Sequence, residues 1–143
     1  MNVLIFSEKA RRIYYLFIYD LLIKMKKTLI LGASSNQERF SYLAAERLLA
    51  HGHKIELLGK RPEEVFGKII DTEKKPFEDI DTVTIYLSVK FQPEYYEYII
   101  SLKPSRVIFN PGTENSEFKE LLKEKNIDVV ENCTLILLRT ERY

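Results

Sequence analysis

Cysteine is almost missing from this chain: Cys133 is the only one. No internal disulfide can form, and a reducing cytoplasm suits such a composition. Tryptophan is absent as well. Histidine occurs only as His51 and His53, and two histidines with one cysteine make no metal-ligand spacing. No charge excess exists either: 22 Lys and Arg against 21 Asp and Glu leave a net +1. That balance argues against a general nucleic-acid or membrane surface, so any basic feature that matters must be local. No apolar run approaches the roughly 20 residues of a membrane helix. At 143 residues the chain can bury one core, but it is too short for a cofactor domain plus a separate substrate domain.

The most informative stretch runs from Leu29 to Arg39. An apolar run, Leu29-Ile30-Leu31, stops at Gly32, passes through Ala33, Ser34, Ser35 and Asn36, and leads into an amphipathic segment. It reads as a strand, a tight turn and a helix start. Gly32 lets the chain turn without a Cβ clash. Ser34, Ser35 or Asn36 can cap the helix, and Ser35 to Glu38 has the capping-box spacing. Free N–H groups at a helix start, with the positive end of its dipole, make an anion site. The same pattern also describes any strand-to-helix turn, and it has one glycine where the dinucleotide fingerprint has three.

Residues 1–24 read differently from the rest. Ile13, Tyr14, Leu16, Phe17, Ile18, Leu21 and Leu22 are dense, with Arg11, Arg12, Tyr15, Tyr19 and Asp20 between them. Their spacing predicts a helix with a broad apolar face. Asp20 and the order of charges argue against a signal peptide. Met25-Lys26-Lys27 then opens straight into the first strand. The segment is expected to be either an appended helix or an upstream translation of a protein that begins at Met25.

From Thr28 onward strands and helices alternate. The first strand is Thr28 to Leu31. A helix follows, with Phe40, Ala44 and Leu48 inward and Leu43, Ala45 and Leu49 widening the face. Gly52 ends it, and Lys54 to Leu58 is the second strand. Glu63 to Asp71 is ambiguous between a loop and an interrupted helix. Thr82 to Leu87 is the third strand, and Gln92-Pro93 opens a helix that Pro104 bars from continuing. Arg106 to Phe109 and Ile127 to Val130 are the fourth and fifth strands, separated by a helix capped at Asn115 or Ser116. Cys133 to Leu138 fits a strand or a short buried helix equally. The pattern predicts an α/β fold: a doubly wound, mostly parallel five-stranded Rossmann-like sheet in the order 3-2-1-4-5, preceded by the N-terminal helical segment.

A second feature follows the second strand. A nicotinamide-binding fold usually places an acid there, to accept hydrogen bonds from ribose hydroxyls. Here Lys60 and Arg61 stand in that place. Two cations attract a phosphorylated ribose, and arginine can bind phosphate through two parallel bonds. With the Gly32 turn, they predict an adenine nucleotide bearing a ribose phosphate: coenzyme A on the 3′ oxygen, or NADP on the 2′ oxygen. Arg39 is a third candidate. A cation at a helix start opposes the dipole, which hints at an anion beside it. The alternative reading is that all three are solvated surface cations.

Gly32-Ala33-Ser34-Ser35, followed by Arg39-Phe40-Ser41-Tyr42-Leu43-Ala44, resembles the opening motif of the small stand-alone CoA-binding domain family. Those proteins are Rossmann-like and related to the CoA-binding domain of succinyl-CoA synthetase. The resemblance continues through Gly67, through Asn110-Pro111-Gly112 with Asn115 and Glu117, and into Val129, Val130 and Cys133. It covers Lys26 to about Thr140. It implies noncovalent binding of CoA or an acyl-CoA, with no established catalytic activity. By position it implies that Gly32, Ala33, Ser34 and Arg39 face the pyrophosphate, with Ser35 and Ser41 also among the cofactor-binding residues. Lys60 and Arg61 would hold the adenosine end, Ser88 and Val89 would border the adenine and pantetheine path, and Asn110, Pro111 and Gly112 would close the far side.

Two rivals belong to other classes. An NADP-dependent oxidoreductase would need a substrate domain and a proton donor. Tyr42 and Tyr86 read as packing, and His51 and His53 read as solvent-facing turn residues far from the strand ends that bind ligands. Cys133 sits in an apolar run, where thiols are inert packing. The other rival is an interaction module with an empty groove that docks a partner or a second copy through residues 1–24.

Overall fold

A computed structural model describes residues 6–143, so the first five residues of the N-terminal segment lie outside it. Continuous apolar runs form the central strands because both faces of the sheet are covered. Five strands make one sheet: β1 (Thr28–Ala33), β2 (Ile55–Gly59), β5 (Thr82–Ile85), β6 (Arg106–Phe109) and β7 (Asp128–Glu131). Every pairing is parallel, in the order β2-β1-β5-β6-β7. Helices α2 (Phe40–Ala50), α3 (Tyr96–Ser101), α4 (Ser116–Glu124) and α5 (Thr134–Arg139) supply the layers. The α5 range settles the ambiguity at Cys133 to Leu138 in favour of a helix.

The expected order 3-2-1-4-5 is corrected. Counted along the chain, the five strands lie 2-1-3-4-5, so the third pairs with the free side of β1 rather than with β2. The physical reason lies in residues 60–81. They contain no helix to carry a crossover beyond β2. They form a small antiparallel hairpin, β3 (Glu64–Val65) and β4 (Lys68–Ile69), turning at Phe66-Gly67. Both turn residues have positive φ, +49° and +78°, as a two-residue hairpin loop requires. The chain then lays Asp71 along the outer edge of β2: Asp71 donates its N–H to the Leu57 carbonyl, and its own carbonyl accepts from Gly59 N–H, each at 2.9 Å. That edge is therefore taken, and β5 goes to the other side of β1. The strand order now reverses between β1 and β5, which places a ligand crevice at their carboxyl ends.

Alternation along β1 divides the core. Leu29 and Leu31 pack with Val83, Ile85, Phe109, Phe118 and Leu122 on one face. Ile30 packs with Ala45, Leu48, Leu57, Ile70 and Leu138 on the other. The inward face of α2 is Ser41, Ala44, Ala45 and Leu48. Phe40 is expected inward but is 67% exposed; it begins the helix, just beyond the loop that leaves the carboxyl end of β1. Leu49 is exposed too.

Helix α1 (Glu8–Lys24) forms as the apolar spacing predicts, capped by Ser7, whose hydroxyl accepts from Ala10 N–H at 3.1 Å. It buries no residue. No helix among the described residues is long and apolar enough to cross a membrane.

Candidate functional site

The site is built where β1 ends. Leu31 pairs with Leu58 and Ala33 with Gly59, so Gly32 is an extra residue bulged out of the ladder. Its φ is +91°, and a Cβ there would lie 2.9 Å from the Tyr86 carbonyl oxygen. Gly59 has the complementary role on β2, since a Cβ there would run into the Ala33 carbonyl oxygen. Two glycines thus let three backbones close together at the carboxyl end of the sheet.

The loop that follows is held by its own side chains. Ser34 Oγ accepts from Asn36 N–H at 3.1 Å, and Asn36 Oδ1 accepts from Glu38 N–H at 3.0 Å. These local turns displace the expected capping box. The N-cap of α2 is Arg39, which provides no capping side-chain bond, and Ser35 Oγ instead donates to the Glu63 carboxylate. The first amides of α2 are therefore not covered by a capping side chain, the arrangement an anion needs.

Gly32, Ala33, Ser34, Ser35, Arg39, Ser41, Lys60, Arg61, Ser88, Pro111 and Gly112 line one cleft of about 630 Å³. The structure so joins the Gly32 bend to the Lys60-Arg61 pair, which were linked only by inference from the sequence. That volume suits a nucleotide-sized ligand. Two expected positions do not line it. Val89 lies in a short 3-10 turn, Val89–Phe91, and is exposed outside the cleft. Asn110 is buried: its Nδ2 donates to Thr84 Oγ1 and the Ile85 carbonyl, and its Oδ1 accepts from Thr134 N–H. It ties β5, β6 and α5 together beneath the site.

Asn110 also shapes the far wall. Its carbonyl accepts from Thr113 N–H at 2.9 Å across Pro111-Gly112, with Gly112 at φ +89°. Gln92 then fastens this wall to its neighbour. Fully buried, it donates Nε2 to the carbonyls of Leu87 and Thr113, and its Oε1 accepts from Asn115 Nδ2. Asn115 Oδ1 caps α4 through Phe118 N–H, as expected from the sequence.

The lining also contains residues the sequence did not assign to the site: Phe40, Glu63, Phe91, Glu94 and Tyr95, together with Tyr86, which reads in the sequence as packing. Phe40 carried a signal, an aromatic beside the helix-start arginine. Phe91 carried none, because it meets Lys60 only in three dimensions: Lys60 Nζ stands 4.4 Å from its ring centroid. Arg39, Lys60 and Arg61 make no ion pair with a carboxylate among the described residues. Three free cations around uncovered amides suit a polyanion. Burial pushes the Tyr86 phenol pKa well above its ordinary value, and it raises that of Tyr95 as well, so both remain neutral.

His51 is exposed, as expected. His53 is not: it is buried, its Nδ1 accepts from Lys26 N–H at 2.9 Å, and its ring packs 4.9 Å from that of Tyr143. It is a satisfied structural histidine at the opposite end of β1 from the cleft. Cys133 is half-buried and does not line the cleft. No cluster of metal-ligating side chains occurs among the described residues.

Comparison with known proteins gives the site its context. A family model described as a CoA binding domain matches residues 26–139. A crystal structure of an uncharacterized protein is 51% identical, with a TM-score of 0.82, and the match covers 83% of this chain and 98% of that one. A hypothetical protein from Pyrococcus horikoshii OT3 is 26% identical at TM-score 0.74, covering 87% and 88%. A Thermus thermophilus protein, at 21% identity and TM-score 0.72 over 90% and 98%, shares the fold. No curated protein matches the sequence significantly. The extent of the family match, together with a cleft that joins a bulged glycine to three unpaired cations, places the chain in the CoA binding domain family.

Proposed function

We propose that this chain binds coenzyme A or an acyl-CoA noncovalently in the cleft at the carboxyl end of β1, as a sensor, carrier or regulatory protein without catalysis of its own. One observation carries the reading: the uncapped start of α2 and the Lys60-Arg61 pair line the same cleft. The pyrophosphate meets the α2 amides and Arg39. The ribose phosphate meets Lys60 and Arg61. The pantetheine arm leaves past Ser88 toward Pro111 and Gly112.

The non-catalytic part rests on the side chains that face this space. Besides serine and threonine hydroxyls, the polar groups are mainly cations, phenols and carboxylates with no histidine or cysteine among them, so a thiol or a histidine-activated hydroxyl is not the design that the lining suggests. A cytoplasmic setting is proposed on the single cysteine alone. No nucleic-acid or membrane partner is proposed, and α1 is assigned to assembly, with a second copy or a partner protein.

A thermal-shift panel of CoA, acetyl-CoA, dephospho-CoA, NAD and NADP tests the assignment. A ligand at a hundredfold its dissociation constant adds roughly 2.7 kcal/mol of stability. CoA and acetyl-CoA are expected to raise the melting temperature most, and dephospho-CoA less. NADP outperforming CoA would transfer the cleft to a nicotinamide cofactor.

A further inference from the structure

Lys60 is not the only ammonium on Phe91. Lys90 Nζ lies 4.8 Å from the same ring centroid, against 4.4 Å for Lys60. The two lysines come from different places: Lys60 follows β2, and Lys90 lies in the 3-10 turn Val89–Phe91 after β5. One aromatic ring at the cleft wall thus carries two cations: Lys60, which lines the cleft with Arg61, and Lys90, which reaches the ring from outside the lining. Neither ammonium pairs with a carboxylate among the described residues. Of the acids that line the cleft, the Glu63 carboxylate accepts from Ser35, and the Glu94 carboxylate makes no ion pair with either lysine.

Two ammonium groups held together repel each other. A ring face offsets part of that cost, since its quadrupole attracts cations. A dianion between them offsets far more. Near neutral pH, a phosphate monoester carries close to two charges, because its second pKa is about 6. Each phosphate of a pyrophosphate bridge carries only one charge. The cluster therefore fits a terminal phosphate better than a bridging one.

We infer that Lys90, with Lys60 and Arg61, forms the seat of the ligand's ribose phosphate monoester, and that Phe91 is the positioning residue that holds the two lysines there. This deepens the CoA reading and rests on it. Lys90 is a cation that the sequence did not connect to the site. Phe91 acts through the lysines and not by stacking on the base.

The test is calorimetric titration of wild type, Lys90→Gln, Phe91→Leu and Lys60→Gln with CoA and with dephospho-CoA. Lys90→Gln and Phe91→Leu are each expected to weaken CoA about fivefold, the scale of one exposed cation–π or ionic contact, and to leave dephospho-CoA within about twofold. Added to Lys60→Gln and Lys90→Gln together, Phe91→Leu should have no further effect, whereas a merely structural ring would still cost binding. Equal losses for both ligands would show that Phe91 packs on the nucleoside and would overturn the inference, as would unchanged CoA binding in Lys90→Gln. Lys90 is exposed, so its variant stays informative even if Phe91→Leu folds poorly. Wild type binding neither ligand would instead remove the CoA reading itself.

Discussion

Gly32 and Tyr86 touch backbone to backbone: a Cβ on Gly32 would stand 2.9 Å from the Tyr86 carbonyl oxygen. The bulge that opens the cleft is thus possible only without a side chain, and φ of +91° makes the same demand. Gly32→Ala is expected to lose about 1–3 kcal/mol of stability, because strain and clash act together. It should also weaken CoA binding, since β1 and β5 must separate to admit the methyl group. Urea denaturation and a CoA titration of the same sample measure both.

Gln92 joins two walls of the cleft from inside the protein. Replacing it with leucine leaves the Leu87 and Thr113 carbonyls and the Asn115 amide short of a partner. Gln92→Leu is expected to cost about 2–3 kcal/mol, the scale of buried polar groups left unpaired. Gln92→Glu should be costly too, because a carboxylate cannot donate to two carbonyls. Denaturant midpoints at equal m-value check both.

His53 sets an acid limit on stability. Burial, followed by the charges of His51, Lys26 and Arg106, holds its pKa below the ordinary value, with Asp81 opposing. The unfolded chain therefore takes up a proton that the folded chain refuses. Stability should fall as pH drops below about 6.5 toward the lower folded pKa, and by at most about 1.4 kcal/mol per pH unit from this one group. His53→Asn keeps an acceptor for Lys26 N–H and cannot titrate. Melting curves between pH 7.5 and 5.5 should slope for wild type and be flatter for the variant.

How far the sequence predicted these features depended on how local each cause is. The strand at Leu29-Ile30-Leu31 and the cap at Asn115 are written in neighbouring residues, and both formed as expected. The strand order is not local. It was decided by Asp71 occupying the edge of β2 and by the lack of a helix in residues 60–81. Phe40 was read as core because hydrophobicity alone does not distinguish a core position from the wall of a cleft. Ser35 was read as a cap because its rival partner, Glu63, lies on another loop. His53 looked exposed because Tyr143, the ring that covers it, comes far later in the chain.

Helix α1 buries nothing, and the family match begins at residue 26. Removing residues 1–24 is expected to leave stability within about 0.5 kcal/mol, as for changes at an exposed surface, and to leave CoA affinity unchanged. If α1 serves assembly, light scattering will show the truncated chain at a lower oligomeric state than the full one.

The most direct measurement is an amide-resolved NMR titration of the full chain with CoA. The amides of Gly32 to Ser41, Lys60, Arg61 and Gly112 are expected to move together and to saturate at one dissociation constant. Shifts confined to other surfaces, with the Gly32 to Ser41 amides unmoved at saturating CoA, would contradict the account.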